Sequence, residues 1–299
     1  MGLIPVYVDC DLNTFNMDSN KIEEAVSDKT KAIFSVPIYG NPCEMDNILS
    51  ICKKYNLMLI EDCCESMGAK YKDKYVGSFG RVASFSFYYS HHITTLEGGI
   101  CVTDEHDLSE MMRIVRAHGW VRQVENREKW TNLHKDFDPK FLFVNDGYNL
   151  RITEPQAAMG LLQIDKIDSF IKSRQDNAKK YYSELESLGD FFSFQITTKD
   201  AENSHFGFPM VLKNNTYFNR DEICSYLNNN GIETRPIIAG NLARQPANKL
   251  FEHKVSGELS NSDYIMDNGF SVGVHQSLSS DAINYVTGKI KEFINMRTK

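Results

Sequence analysis

The sequence predicts an α/β fold, a mainly parallel sheet covered by helices on both faces, and three observations carry that prediction. Short runs that are almost wholly apolar recur along the chain, as expected of strands buried on both faces rather than one. Between them lie stretches whose apolar residues return every three or four positions, the spacing of a helix with one buried side. Turns rich in acidic residues or glycine close several of the runs, as in repeated βα units.

Taken in order, residues 3–8 form a short β-rich run ended by Asp9-Cys10-Asp11. Asp18-Ser19-Asn20 caps a helix through Ile22 and Val26. Residues 31–37 make the next strand, and 45–55 the next helix, with Ile48, Leu49 and Cys52 on its apolar side. A third strand covers 57–60 and ends on Glu61-Asp62. Residues 82–88 and 99–103 supply further strands, and a helix runs from 108 to 117. Residues 121–146 are rich in charge and aromatic side chains, lack periodicity and read as an irregular excursion. The strongest helical stretch, 154–188, connects a large domain (residues 1–165) to a smaller one (residues 166–299). In the smaller domain 206–212 is strand-like, 219–229 helical and 282–296 a terminal amphipathic helix.

Composition narrows the function classes. A hydrophobic share of 41% and a charged share of 24% over 299 residues are those of an ordinary globular protein with ample core. The formal net charge of −7 argues against general nucleic-acid binding, because no basic surplus exists to neutralise phosphates. A small anionic ligand needs only local donors and stays open. Seven cysteines, an odd number without zinc-type spacing, and no signal peptide point to reduced thiols and a cytoplasmic location. No apolar run approaches the roughly 20 residues of a membrane-spanning helix.

Two stretches concentrate the residues that do chemistry. Ile60-Glu61-Asp62-Cys63-Cys64-Glu65-Ser66-Met67-Gly68 leaves a predicted buried strand, the place where open α/β sheets hold their ligands. A carboxylate at Asp62 could keep a pyridinium nitrogen protonated, or simply end the strand. Phe85-Ser86-Phe87-Tyr88-Tyr89-Ser90-His91-His92-Ile93-Thr94-Thr95-Leu96-Glu97-Gly98-Gly99 follows. His91 and His92 are neighbours, so in an extended chain they point to opposite sides, and no metal site is expected of them. An imidazole here can carry protons near neutral pH, or serve as a hydrogen-bonded structural histidine. Glycines 98 and 99 suit close backbone passage or positive φ.

Together these stretches resemble the cofactor site of the DegT/DnrJ/EryC1/StrS nucleotide-sugar aminotransferase family, and the likeness extends over essentially the whole chain. It implies the fold type I of pyridoxal-phosphate-dependent transferases, with a large cofactor-binding domain and a smaller C-terminal α+β domain. In most members a lysine bonds to the cofactor at the position matching His91; a histidine there resembles the family's 3-dehydratase branch, which works with pyridoxamine 5'-phosphate. The same resemblance implies that Asp62, 29 residues before His91, pairs with the ring nitrogen. Glu65 would lie near the ring's phenolic oxygen or the substrate, and Ser86 would donate to the cofactor phosphate. Residues 146–158 resemble the segment that reaches the neighbouring subunit's site, with Asn149 on that subunit's cofactor phosphate and Arg151 on the substrate side; Thr153 and Pro155 equally suit a helix start. His205, Arg235 and Asn241 fall in segments resembling the substrate side; Arg235 suits a diphosphate or sugar hydroxyl, or else a surface ion pair.

The activity implied is removal of the C3 hydroxyl from a 4-keto-6-deoxy nucleotide sugar for surface-glycan or O-antigen synthesis. Glutamate would be the amino donor and a homodimer the working form. An ordinary sugar aminotransferase, and a non-catalytic remnant or partner subunit, are the alternatives. Two departures from the family pattern bear on this choice. Relatives carry a further segment ahead of the position matching Met1, with an early strand, a phosphate-binding helix start and a residue stacking on the cofactor ring. Its absence here suggests a truncated or split reading frame with part of the cofactor grip missing. The cysteine-rich iron–sulfur insert of one dehydratase relative has no counterpart, since residues 121–146 contain no cysteine, and no such cluster is expected.

Overall fold

A computed structural model describes residues 2–214 and 216–298 and gives the following elements. The strands are β1 (Val6–Tyr7), β2 (Ala32–Ser35), β3 (Met58–Asp62), β4 (Lys70–Tyr71), β5 (Lys74–Tyr75), β6 (Val82–Ser86), β7 (Gly99–Val102), β8 (Phe192–Phe194), β9 (Ala201–Glu202), β10 (Phe208–Leu212), β11 (Arg235–Pro236), β12 (Lys254–Val255) and β13 (Gly269–Val272). The helices are α1 (Ile22–Ala25), α2 (Met45–Tyr55), α3 (His106–Val115), α4 (Arg127–Leu133), α5 (Glu154–Ile164), α6 (Ile167–Leu185), α7 (Arg220–Asn229), α8 (Ser260–Asn268) and α9 (Ser280–Thr298).

The first sheet has the order β2-β3-β6-β7. Its first three strands are parallel, with Ser35 opposite Glu61 and Asp62 opposite Ser84, while β7 runs antiparallel to β6. Alternate residues divide between its two faces. Ile33 and Leu59 pack with Met45, Ile48 and Ile51 of α2 in one buried cluster, whereas Phe34 and Ile100 remain about half exposed at 55% and 47%.

The second sheet, β11-β13-β10-β8, is antiparallel throughout. Every residue of β10 is buried, and the period of two splits them between two cores. Phe208, Met210 and Leu212 join Tyr181 and Leu185 of α6, Ile223 and Leu227 of α7 and Ile290 and Phe293 of α9. Val211 faces the other way, against Phe15, Tyr39, Ile237 and Ile265. That second cluster ties the N-terminal loops to the C-terminal sheet.

Several expectations are adjusted. The long helix over 154–188 is two helices, interrupted at Asp165-Lys166. The two differ in burial: α6 buries Ile171, Arg174, Ala178, Tyr181 and Leu185 on one stripe, and α5 buries none of its residues. The run over 3–8 is reduced to β1, whose parallel partner β12 lies far along the chain. Asp18 caps a short 3-10 turn (Ser19–Lys21) ahead of α1, its carboxylate accepting from Asn20 N at 3.0 Å. The excursion over 121–146 contains α4, and Trp120 makes stacked contacts with Phe141 and with Phe143. Asn219 caps α7 as its sequence suggests, accepting from Glu222 N at 3.0 Å. Among the described residues no helix is long and apolar enough to cross a membrane.

Candidate functional site

The end of β3 sends two adjacent carboxylates to opposite sides, as pleating requires. Glu61 is fully buried and accepts from the backbone N–H groups of Gly77, Phe79 and Gly80 at 2.8, 2.8 and 2.6 Å, which anchors the loop leading into β6. Asp62 faces the other way. Its Oδ1 accepts from Cys64 N at 3.1 Å and from Ser84 Oγ at 3.3 Å. Ser84 and Ser86 share one face of β6, so Asp62, Ser84 and Ser86 line the same side at the carboxyl ends of neighbouring strands. Ser86 Oγ accepts from Tyr88 N at 3.2 Å.

After β6 the chain makes a tight excursion and returns as β7. Phe87 N donates to Gly98 O and Thr95 N to Phe87 O, both at 2.9 Å, and His91 N donates to Tyr88 O at 3.0 Å. The return is possible because Gly98 sits at φ +150°, where a Cβ would meet Thr95 Oγ1 at 2.5 Å. The loop holds the His91 imidazole against Phe206 (ring centroids 4.9 Å apart) and edge-on to Tyr88 (5.9 Å). His91 Nδ1 is buried and has no hydrogen-bond partner among the described residues. Burial and the positive charge of Arg174 hold this imidazole below its usual range, while the Asp62 carboxylate acts on it in the opposite sense. His92 turns into the core; the segment is a turn and not extended, so the two rings do not take opposite sides, and both pack near Phe206. His92 is fully buried, its Nε2 lies 3.2 Å from Ser204 O, and burial pushes it down to about 3.

Glu65 Oε2 accepts from Tyr39 N at 3.1 Å. Burial pushes its carboxyl up to about 7; the Tyr39 N–H pulls it down and the nearby Asp62 charge adds to the rise. Tyr39 adopts φ +56°, an uncommon conformation for a bulky residue, and its hydroxyl donates to Ser271 Oγ at 2.7 Å. Arg235, at the start of β11, donates Nε to Glu233 Oε1 at 2.8 Å and lies beside the Tyr89 hydroxyl, on the rim of the His91 loop.

The remaining predicted residues are placed differently. Asn149 is exposed and bridges to Ala117 through its backbone. Arg151, also exposed, lines a cavity of about 290 Å³ with Ala117, Trp120, Arg122 and Gln123. Neither meets His91 within this chain. A larger hollow of about 440 Å³ is formed by α9 alone, and none of the residues above lines it. His205 and Asn241, expected on the substrate side, are both buried in this chain. His205 is buried beside Tyr182 (6.4 Å) and pushed down to about 4 by that burial. Asn241 is buried, accepts from Ala243 N at 3.0 Å in the turn it caps, and donates Nδ2 to Asp263 Oδ1 of α8 at 2.8 Å. Among the described residues no group of three or more His, Cys, Asp or Glu side chains is placed to hold a metal ion.

Sequence reasoning missed Tyr39, Phe206 and Arg174. Only Tyr39-Gly40 carried a local signal, a glycine beside an aromatic residue after an apolar strand.

Comparison with known proteins then adds what geometry alone does not give. The profile of the DegT/DnrJ/EryC1/StrS aminotransferase family matches residues 1–291. The chain is 39% identical over 293 residues to the GDP-4-keto-6-deoxy-D-mannose 3-dehydratase of Escherichia coli O55:H7, covering 97% of this chain and 75% of that protein. It is 37% identical over 305 residues to the lipopolysaccharide biosynthesis protein RfbH of Salmonella typhimurium, covering 99% of this chain and 70% of that one. Among solved structures, an E. coli GDP-4-keto-6-deoxy-D-mannose-3-dehydratase with bound hydrated PLP superposes with a TM-score of 0.88 at 37% identity, covering 96% of this chain and 74% of the other. The chain therefore belongs to the DegT/DnrJ/EryC1/StrS aminotransferase family.

Proposed function

We propose that this chain removes the C3 hydroxyl from a 4-keto-6-deoxy nucleotide hexose with pyridoxamine/pyridoxal 5'-phosphate as cofactor and glutamate as amino donor, in the cytoplasmic synthesis of a lipopolysaccharide or related surface glycan. The observation that carries the reading is an imidazole, not an amine, in the loop after β6, with Nδ1 buried and unpartnered while Asp62 stands at the end of β3. The 3-dehydratases at 37–39% identity support it, as does the PLP bound by the solved relative.

The residues present fit a vitamin B6 cofactor. Both hydrogen bonds to the Asp62 carboxylate fall on Oδ1 and hold the group in one orientation, and His91 Nδ1 is an orphaned buried polar atom. Asp62 would hold the pyridine nitrogen, Ser86 the phosphate, and Glu65 would face the ring's phenolic oxygen or the sugar. When bound, the cofactor supplies an electron sink that makes loss of the neighbouring hydroxyl accessible. His91 takes a proton at an imidazole nitrogen and returns it to the departing C3 oxygen; a single group can do both only if its pKa is near working pH, as an imidazole's is. Phe206 and Tyr88 pack against the His91 ring and restrict its orientation. Arg235 meets the sugar or diphosphate from the rim. Per sugar, one glutamate is consumed and one 2-oxoglutarate and one ammonia are released.

We place Asn149 and Arg151 in the site of a second copy of the chain within a homodimer. Their exposure supports this, as does the apolar, uncovered side of the adjacent α5, where Leu161 is 71% exposed. We read residues 1–165 as the cofactor-binding domain and 166–299 as the smaller domain, a division supported by the break between α5 and α6.

The test is His91→Lys. Mixed with pyridoxal phosphate and reduced with borohydride, the variant should retain the cofactor covalently on the peptide spanning position 91, and the parent should not. An unlabelled peptide in a variant that still folds would remove His91 from the cofactor's reach and overturn the reading.

A further inference from the structure

Beneath His91 lies a backbone bent against its own preference. His205 sits at φ +50°, a conformation that costs a non-glycine residue of order 1 kcal/mol or more. The bend is stitched to Tyr39 at φ +56°: Phe206 N donates to Tyr39 O at 3.0 Å and Ser204 N to Gly40 O at 3.1 Å. What the bend achieves is the placement of the Phe206 ring, 4.9 Å from His91, 6.2 Å from His92 and 6.1 Å from Tyr39.

One side chain grips this bend from α6. Arg174, only 1% exposed, donates Nη1 to His205 O at 3.3 Å and to Phe206 O at 3.1 Å, and Nε to Gln276 Oε1 at 2.9 Å. Among the described residues no carboxylate forms an ion pair with it. Its neighbours on the same stripe, Ile171, Ala178 and Tyr181, show that packing alone asks for nothing charged. A buried cation without a counter-ion is expensive, and such groups need a reason.

We propose that Arg174 is a positioning residue for His91, acting through the Phe206 bend and through the fixed charge it places near the imidazole. The inference rests on the reading of His91 as the proton carrier. Arg174 Nη1 bridges two successive carbonyls, with Nε fixed on Gln276, and thereby keeps the Phe206 ring against the imidazole. After burial, the Arg174 charge is the next influence that disfavours a positive charge on His91. Asp62 works against this and favours the imidazolium. His92 stays neutral in the core, Tyr88 meets the ring edge-on, and Arg235 lies farther out beside Tyr89.

The test separates clamp from charge in the full chain, with histidine Cε1 labelled and the His91 signal assigned by its loss in His91→Asn. Gln276→Glu keeps the clamp and sets a carboxylate on Nε, cancelling the charge. Arg174→Lys keeps the charge and loses the two-nitrogen anchor between Gln276 and the two carbonyls; Arg174→Met loses both. The His91 titration midpoint should rise by roughly half a pH unit or more in Gln276→Glu and Arg174→Met, and move far less in Arg174→Lys. Arg174→Lys should lower kcat about tenfold with little change in KM. An unmoved midpoint in Gln276→Glu overturns the inference, even where Arg174→Met does not fold. Because the titration uses no substrate, that failure leaves the dehydratase reading intact. Shifted midpoints in a protein that never turns over a keto sugar would support the inference while that reading fell.

Discussion

Replacing Glu65 with glutamine should stabilise the chain at pH 8 and do far less at pH 5. The Glu65 carboxyl is buried with its folded pKa pushed up to about 7 against an ordinary 4.5, so between these values the folded state binds a proton that the unfolded chain has released. The sign follows: stability rises as pH falls from 7 to 4.5 and is lost as pH rises through that window. At about 1.4 kcal/mol per pH unit, the burial penalty reaches roughly 3 kcal/mol above pH 7 and shrinks to about 1 kcal/mol at pH 5. A glutamine has no charge to bury, and its amide oxygen can still accept from Tyr39 N, which the carboxylate does at 3.1 Å. Exchanging a charged acceptor for a neutral one gives back about 1 kcal/mol at high pH. The expected gain over the parent is therefore roughly 1–2 kcal/mol larger at pH 8 than at pH 5. Urea unfolding of parent and variant at the two pH values, without cofactor, measures it. Equal differences at pH 5 and pH 8 would refute the argument, because they would mean that Glu65 titrates alike in the folded and unfolded chain.

Two further outcomes follow from the same core. His92 and His205 are held neutral by burial, at about 3 and about 4, so the stability they contribute is complete above pH 6.5 and is lost as pH falls. Each should cost about 2 kcal/mol by pH 5, and His92→Asn should flatten the fall of Tm between pH 7 and pH 5 whatever it does to Tm itself. Gly40 sits at φ +84° with an added Cβ only 2.6 Å from Ser204 Oγ and 2.8 Å from His205 N. Gly40→Ala should therefore cost about 2 kcal/mol or more, read as a lower urea midpoint at unchanged m.

Much of the fold is legible because its elements are locally determined. The α2 helix has the predicted bounds, since its apolar spacing and its Asn56 stop are both written in sequence. Strands β2, β3, β6 and β7 are apolar runs of four or five residues closed by turn residues. What escapes is pairing of short pieces over long distances: β1 with β12, and β4 with β5 and β9, are two-residue ladders with no period to read. The interruption at Asp165-Lys166 is hard to see in the sequence because neither residue is a Gly or Pro, the strong helix breakers.

The site divides the same way. Ser86 and His91 are five residues apart at the end of β6, and Asp62 ends β3, the strand that pairs with β6, so the three are near one another in chain and sheet. Arg174 sits in what reads as a charged helical continuation, and only the fold reveals that it is buried under His205 and Phe206. The burial of His205 and Asn241 is likewise a product of the fold, not of any local pattern in the sequence.

The most direct measurement of the central claim is the stoichiometry of one reaction. The full chain is incubated with pyridoxamine phosphate, glutamate and a 4-keto-6-deoxy nucleotide hexose, and ammonia, 2-oxoglutarate and the mass of the sugar are followed together. The account predicts one ammonia for each 2-oxoglutarate, a sugar lighter by one oxygen atom, and loss of both in His91→Asn. An amino sugar formed without ammonia, or product unchanged in His91→Asn, would contradict it.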